Sequence, residues 1–154
     1  MTDIIISGTG LYTPQESISN KELVEAFNEY VSIYNSENKE EIEKGNLKEL
    51  ENSSEAFIEK ASGIKNRYAM NKSGLLDPKR MRPYLKDRPD SEHSIQCEMS
   101  IGAAQEAMEK AGVTPEQVGM VILACSFPQR SYPAVAIEVQ NALGINSAFA
   151  FDMN

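Results

Sequence analysis

The sequence is poor in the residues that most often make a site visible: 154 residues hold one histidine, two cysteines and no tryptophan. His93 sits in a polar lead-in, DSEHSI, with no cysteine, serine or second histidine in a ligand or triad pattern. Neither a metal centre nor a catalytic triad is expected of it. Cys97 and Cys125 could close one disulfide, but they fall in segments that read as helix and strand. Reduced thiols in a cytoplasmic protein are the expectation. No apolar run approaches the roughly 18 residues of a membrane span. MTDIIISGTG carries neither the basic flank nor the cleavage pattern of a secretory signal. Positive charge is scarce too: 15 Lys and Arg against 23 Asp and Glu leave a net charge of −8, which argues against a nucleic-acid partner. What remains, 41% apolar and 25% charged residues, is the composition of one globular domain with a core.

Along the chain, Ile4, Ile5 and Ile6 read as a strand covered on both faces, with Gly8 and Gly10 turning the backbone after it. That GxG is not a dinucleotide fingerprint, because no third glycine follows and LYTPQ opposes an immediate helix. SNKELVEAFNEYV is a helix start, capped by Ser19 or Asn20 with Glu22 at capping-box distance, and Leu23, Phe27 and Tyr30 share one face. Residues 35–55 form an acidic insertion, read as a surface excursion with one or two solvated helical turns. A helix over SEAFIEKAS stops at Gly63, an extended IKNRYAM follows, and 75–92 is a basic, proline-containing loop. The second half alternates more cleanly. A helix runs from Ser94 to Gly112 with Gly102, Ala103, Ala104 and Ala107 as a small-residue face, and Thr114, Pro115 and Gln117 mark another start. GMVILAC reads as a fully buried strand, PAVAIEVQNALG as a helix and SAFAFDMN as a last strand. That order predicts an α/β fold with a parallel sheet covered by helices.

Taken together, ISGTGLYTP, FIEKASGIKNRY, AAQEAMEKAGVTPEQVGMVILACS, YPAVAIEVQNALGI and AFAFDMN resemble the N-terminal half of the 3-oxoacyl-(acyl carrier protein) synthase III family. The resemblance covers residues 1–154 apart from the 35–55 insertion and the 75–92 loop. It implies half of a thiolase-like fold, with a mixed, mainly parallel sheet covered by helices, in a homodimeric acyltransferase of fatty acid biosynthesis. Such enzymes perform decarboxylative Claisen condensation of an acyl thioester with malonyl-carrier protein. Coenzyme A thioester would enter as substrate, the acyl carrier protein as partner, and no tightly bound cofactor is implied. The family's nucleophilic cysteine opens a buried helix just past the strand matching AFAFDMN, where the helix terminus stabilises a thiolate. By this resemblance the catalytic cysteine, histidine and asparagine lie beyond Asn154, and residues 1–154 alone are expected to be inactive. The alternative is a non-catalytic assembly half that pairs with a separate C-terminal portion.

The resemblance also assigns roles to residues in hand. Tyr132 matches an aromatic that reaches across the dimer interface to close the partner's acyl pocket, and Phe127 on the same loop is a second lining candidate. FIEKASGIKNR matches WxxxRTGIxxR, which holds the adenine end of coenzyme A; Ser62, Gly63, Ile64 and Arg67 fit it. Phe57 replaces the tryptophan and Ala61 the first arginine, so the primer is held differently or is not acetyl-coenzyme A. Lys79, Arg80, Arg82, Lys86 and Arg88, against Asp87, could steer an acidic carrier protein. Cys125 precedes the loop SFPQRSYP, not a helix start, so it reads as a small hydrophobe beside the pocket, and Cys97 as a packing residue.

Overall fold

The computed structural model describes residues 4–153, and the chain divides into two compact units, Pro14–Lys86 and the remainder. In Pro14–Lys86, β1 (Glu16–Ser19) pairs antiparallel with β2 (Asn66–Ala69), Glu16 opposite Ala69 and Ser19 opposite Asn66. Strand β2 lies in the stretch expected to be extended; the polar β1 was not foreseen. Ser19 ends β1 and caps α1 (Asn20–Glu37). Its hydroxyl accepts the Glu22 N–H at 3.2 Å while the Glu22 carboxylate accepts the Ser19 N–H at 2.9 Å, the capping box that the spacing predicts. The helix runs past the YV of its start signal as far as Glu37.

The acidic insertion holds one short solvated helix, α2 (Lys39–Glu43), as expected, but it is also stitched back to α1. Asn35 receives the Leu50 N–H at 3.0 Å and donates to the Leu50 carbonyl at 2.9 Å. Asn28, two helical turns earlier on the same face, does the same for Ser53 at 2.8 and 3.2 Å. Each amide pairs with one residue's backbone as a neighbouring strand would. Helix α3 (Glu55–Ser62) follows from a Ser54 cap and stops at Gly63, whose φ of 71° is left-handed.

In the other unit α4 (Ile95–Ala111) starts at the Ser94 cap, whose hydroxyl accepts the Cys97 N–H at 3.1 Å, and ends at Gly112. A single 3-10 turn over Pro115–Gln117 carries the predicted start signal, with the Gln117 side chain accepting the Thr114 N–H at 2.9 Å. Strand β3 (Met120–Ala124), α5 (Val135–Ala142) and β4 (Phe149–Met153) form a strand–helix–strand unit. The strands are parallel, Met120 opposite Phe149 and Ala124 opposite Met153. Cys97, Val135 and Val139 are buried at its centre, with Ile101, Val121, Leu123 and Leu143 packed around them. Helix α5 has alanine at its cap position. Asp152 on β4 replaces the missing cap, its two carboxylate oxygens accepting the Val135 and Ala136 N–H groups at 2.8 Å each.

Two strand expectations are corrected. Ile4, Ile5 and Ile6 are 102, 77 and 87% exposed and belong to no strand, since nothing among the described residues pairs with them. A run of isoleucines sets β propensity, but a strand needs a partner for its backbone groups. The glycines after it serve close approach rather than a turn. A Cβ on Gly10 would collide with the Ala103 carbonyl oxygen on α4, and one on Gly8 with that of Ala107. The small-residue face of α4 is therefore used as expected, with the Tyr12 ring lying over Gly102. The second correction is β3, which is buried on one face only: Val121 and Leu123 turn inward while Met120 and Ile122 stay half exposed.

Candidate functional site

The loop between β3 and α5 carries the two aromatic candidates. Its backbone and polar side chains are fastened to the start of α4: Gln96 donates to the Phe127 carbonyl at 2.8 Å, and Gln129 accepts the Ile95 N–H at 2.9 Å. Arg130 donates to the carbonyls of Glu92 at 2.9 Å and Asp90 at 3.4 Å. With the chain so held, the Phe127 and Tyr132 rings stand out at 87 and 86% exposure. The loop is thus fastened through its backbone and polar side chains while its two aromatic rings are left bare.

Cys125, at the start of that loop, is half buried, and its N–H extends the parallel ladder to the Met153 carbonyl at 3.2 Å. Cys97 is fully buried, and burial, with Glu138 next in effect, pushes its thiol up to about 11. Burial thus disfavours the thiolate, the form in which a cysteine acts as a nucleophile.

In the other unit, Phe57 lies exposed on the first turn of α3. Ser62 at its end donates to the Ile58 carbonyl at 2.7 Å and accepts the Ile64 N–H at 3.2 Å. Arg67 on β2 donates one guanidinium nitrogen to Asn20 Oδ1 at 2.8 Å. Asn20, itself buried, donates to the Ile64 carbonyl at 2.7 Å, so Asn20 ties Ile64 to Arg67 within SGIKNR. The second terminal nitrogen of Arg67 is buried without a hydrogen-bond partner. Ser62 and Arg67 thus hold local structure, and Arg67 keeps a donor in reserve. In the same unit an apolar cavity of about 230 Å3 is lined by Leu23, Val24, Phe27, Ser53, Ile58 and Met81, and none of Phe57, Ser62 or Arg67 lines it.

The structure separates the basic residues of 79–88 by what they already do. Arg80 donates to the Arg82 and Pro83 carbonyls and lies 4.0 Å above the Tyr84 ring. Arg88 pairs with Glu98 at 2.8 Å. Lys79, Arg82 and Lys86 are exposed.

One grouping escaped the sequence reading. Ligand atoms of His93, Cys97 and Glu138 all lie within 4.8 Å of one another. In the sequence His93 has no patterned partner. Cys97 on the first turn of α4, just after His93, and Glu138 on α5 supply two. The i, i+4 spacing of His93 and Cys97 was the only signal in the sequence, and Glu138 is brought in by the fold.

No family model matches the chain. It is 54% identical over 131 residues to the β-ketodecanoyl-(acyl carrier protein) synthase of Pseudomonas aeruginosa, covering 85% of this chain and 37% of that protein. It is 30% identical over 149 residues to the β-ketoacyl-(acyl carrier protein) synthase III of Bartonella tribocorum, covering 97% of this chain and 32% of that one. Among solved structures, the 3-oxoacyl-(acyl carrier protein) synthase III of Aquifex aeolicus superposes with a TM-score of 0.60 at 24% identity, over 96% of this chain and 33% of that one. The synthase III of Pseudomonas aeruginosa gives 0.59 at 20% identity, over 97 and 31%. The chain spans about a third of the length of these relatives. Its fold is part of the thiolase-like α/β fold of these condensing enzymes.

Proposed function

We propose that this chain, a homologue of the β-ketoacyl-(acyl carrier protein) synthases III, is the pocket-wall and docking portion of such an enzyme. The whole protein would perform the decarboxylative Claisen condensation of an acyl thioester with malonyl-carrier protein in fatty acid biosynthesis. The observation that carries this reading is the 54% identity sustained over 131 residues with a β-ketodecanoyl synthase. The open face of the β3–β4 sheet supports it, because a C-terminal portion completing the fold would cover Ile122 and Phe151.

In this reading the protein works in the cytoplasm as a homodimer, and Tyr132 and Phe127 close an acyl pocket across the interface. Phe57, Ser62 and Arg67 flank the coenzyme A thioester. Lys79, Arg82 and Lys86 meet the acidic carrier protein. The nucleophilic cysteine, with its histidine and asparagine, belongs to the portion beyond Asn154. A β-ketodecanoyl product is an octanoyl primer extended by the carbons that malonyl keeps after decarboxylation. A medium-chain primer follows from the similarity to that synthase alone, since Phe57 and Ala61 fall at the adenine end of coenzyme A, which every acyl-coenzyme A shares.

The test is acylation followed by peptide mass mapping of the longer polypeptide, offered octanoyl- and acetyl-coenzyme A separately. The expected adduct is an octanoyl thioester on a cysteine beyond Asn154, with acetyl transfer much slower. An adduct on Cys125 or Cys97, or none at all, would remove the assignment.

A further inference from the structure

We propose that His93, Cys97 and Glu138 form a binding site for a divalent transition-metal ion, with Zn2+ the best chemical match. The three residues lie on the unit that carries α4 and α5, and their donor atoms fall within 4.8 Å of one another. Tetrahedral zinc with bonds of about 2.0–2.3 Å holds its ligand atoms about 3.5 Å apart. No pair of donor atoms is more than about 1.3 Å wider than that, and His93 is the exposed member of the three.

The donor set is one imidazole nitrogen, one sulfur and one carboxylate oxygen, which suits a borderline metal rather than Mg2+ or Ca2+. Charge balances as well: Zn2+ with one thiolate, one carboxylate and a neutral imidazole is neutral, as a partly buried site requires. Binding breaks the Cys97 S–H bond, releases that proton to solvent and forms a metal–sulfur bond, with no change of oxidation state.

A second, independent observation points to a ligand. Glu138 is 92% buried, being 8% exposed, and its Oε1 has no hydrogen-bond partner. Its other oxygen accepts the Ser94 N–H at 2.7 Å, which fixes the carboxylate as an outer-shell contact would. The nearest cation is Arg130, whose Nε stands 3.9 Å from Oε1, beyond hydrogen-bond reach, and whose other nitrogens are engaged by the Asp90 and Glu92 carbonyls. Two of the three ligands, His93 and Glu138, line a cavity of about 330 Å3, while Cys97 lies buried behind them. The ion would tie the first turn of α4 to the first turn of α5, below the loop that presents Phe127 and Tyr132.

Titration of the reduced, untagged protein with Co2+ tests this by absorption spectroscopy, independently of any condensing activity. The expected result is an intense near-ultraviolet sulfur-to-cobalt band with tetrahedral visible bands, saturating at one ion per chain and erased by Zn2+. Cys97→Ser removes the band, His93→Gln weakens binding by about tenfold or more, and Cys125→Ser leaves it unchanged. His93 is exposed, so its variant keeps the fold and gives a reading even if Cys97→Ser is unstable. Absence of the band, its loss in Cys125→Ser, or unchanged affinity in His93→Gln would overturn the proposal.

Discussion

Glu22 does three jobs with one carboxylate: it closes the Ser19 capping box, accepts from the Ser19 hydroxyl at 2.9 Å, and pairs with Lys72 at 2.5 Å. The Lys72 contact first, then the Ser19 bonds, hold its carboxyl down at about 2. Its unfolded value is about 4.3. Because the folded value is the lower, the stabilisation is complete above the unfolded value and drains as pH falls from about 4 toward about 2. Urea denaturation across that range should show wild type well ahead of Glu22→Gln at about pH 6, with the gap closing as acid is added. A gap that stays constant with pH would mean that the carboxylate's charge contributes nothing. The serine and the glutamate three residues on are visible in the sequence. Lys72 is not, since only the fold brings a residue from beyond β2 to the start of α1.

At the scale of elements, what could be read from the sequence divides the same way. Helices α1, α3 and α4 were legible because their boundaries are local chemistry: a serine cap at one end and, for the last two, a glycine with positive φ at the other. The clamp of Asn28 and Asn35 on Ser53 and Leu50 was not legible, because each amide meets a backbone 25 or 15 residues away. Helix α5 is the extreme case. Its cap is Asp152, 17 residues beyond Val135, so α5 and β4 each complete the other. Of the candidate site, the Phe127–Tyr132 loop was placed correctly between β3 and α5, whereas the bonds that fasten it to α4 are long-range and left no trace in local pattern. Asp152→Ala should cost about 1–3 kcal/mol, since it strands two helix N–H groups that now meet a charged acceptor. Asp152→Asn, keeping one good acceptor, should cost roughly half. Chemical denaturation measures both; equal losses would place the carboxylate's value in packing rather than in capping.

For the whole molecule, the decisive feature is the face of the β3–β4 sheet opposite α5. Ile122, Phe149, Phe151 and Met153 stand on it between 43 and 75% exposed, and among the described residues two strands share the sheet. Two strands with a bare apolar face are marginal in water, and a patch of this kind attracts whatever apolar surface is available. The sequence did not announce this, because GMVILAC looks the same whether one face is covered or both; only the number of neighbouring elements distinguishes the cases. If the remainder of a thiolase-like fold covers that face, residues 1–154 prepared alone should self-associate at micromolar concentration and strongly enhance the fluorescence of an apolar dye. A longer polypeptide that covers the face should do neither. Ile122→Lys with Phe151→Lys should return the short chain to monomer by sedimentation while leaving the inward Val121 and Leu123 packed. A wild-type short chain that sediments as a monomer and leaves the dye dark would mean the sheet needs no cover, and the open face would cease to support a missing portion of the fold.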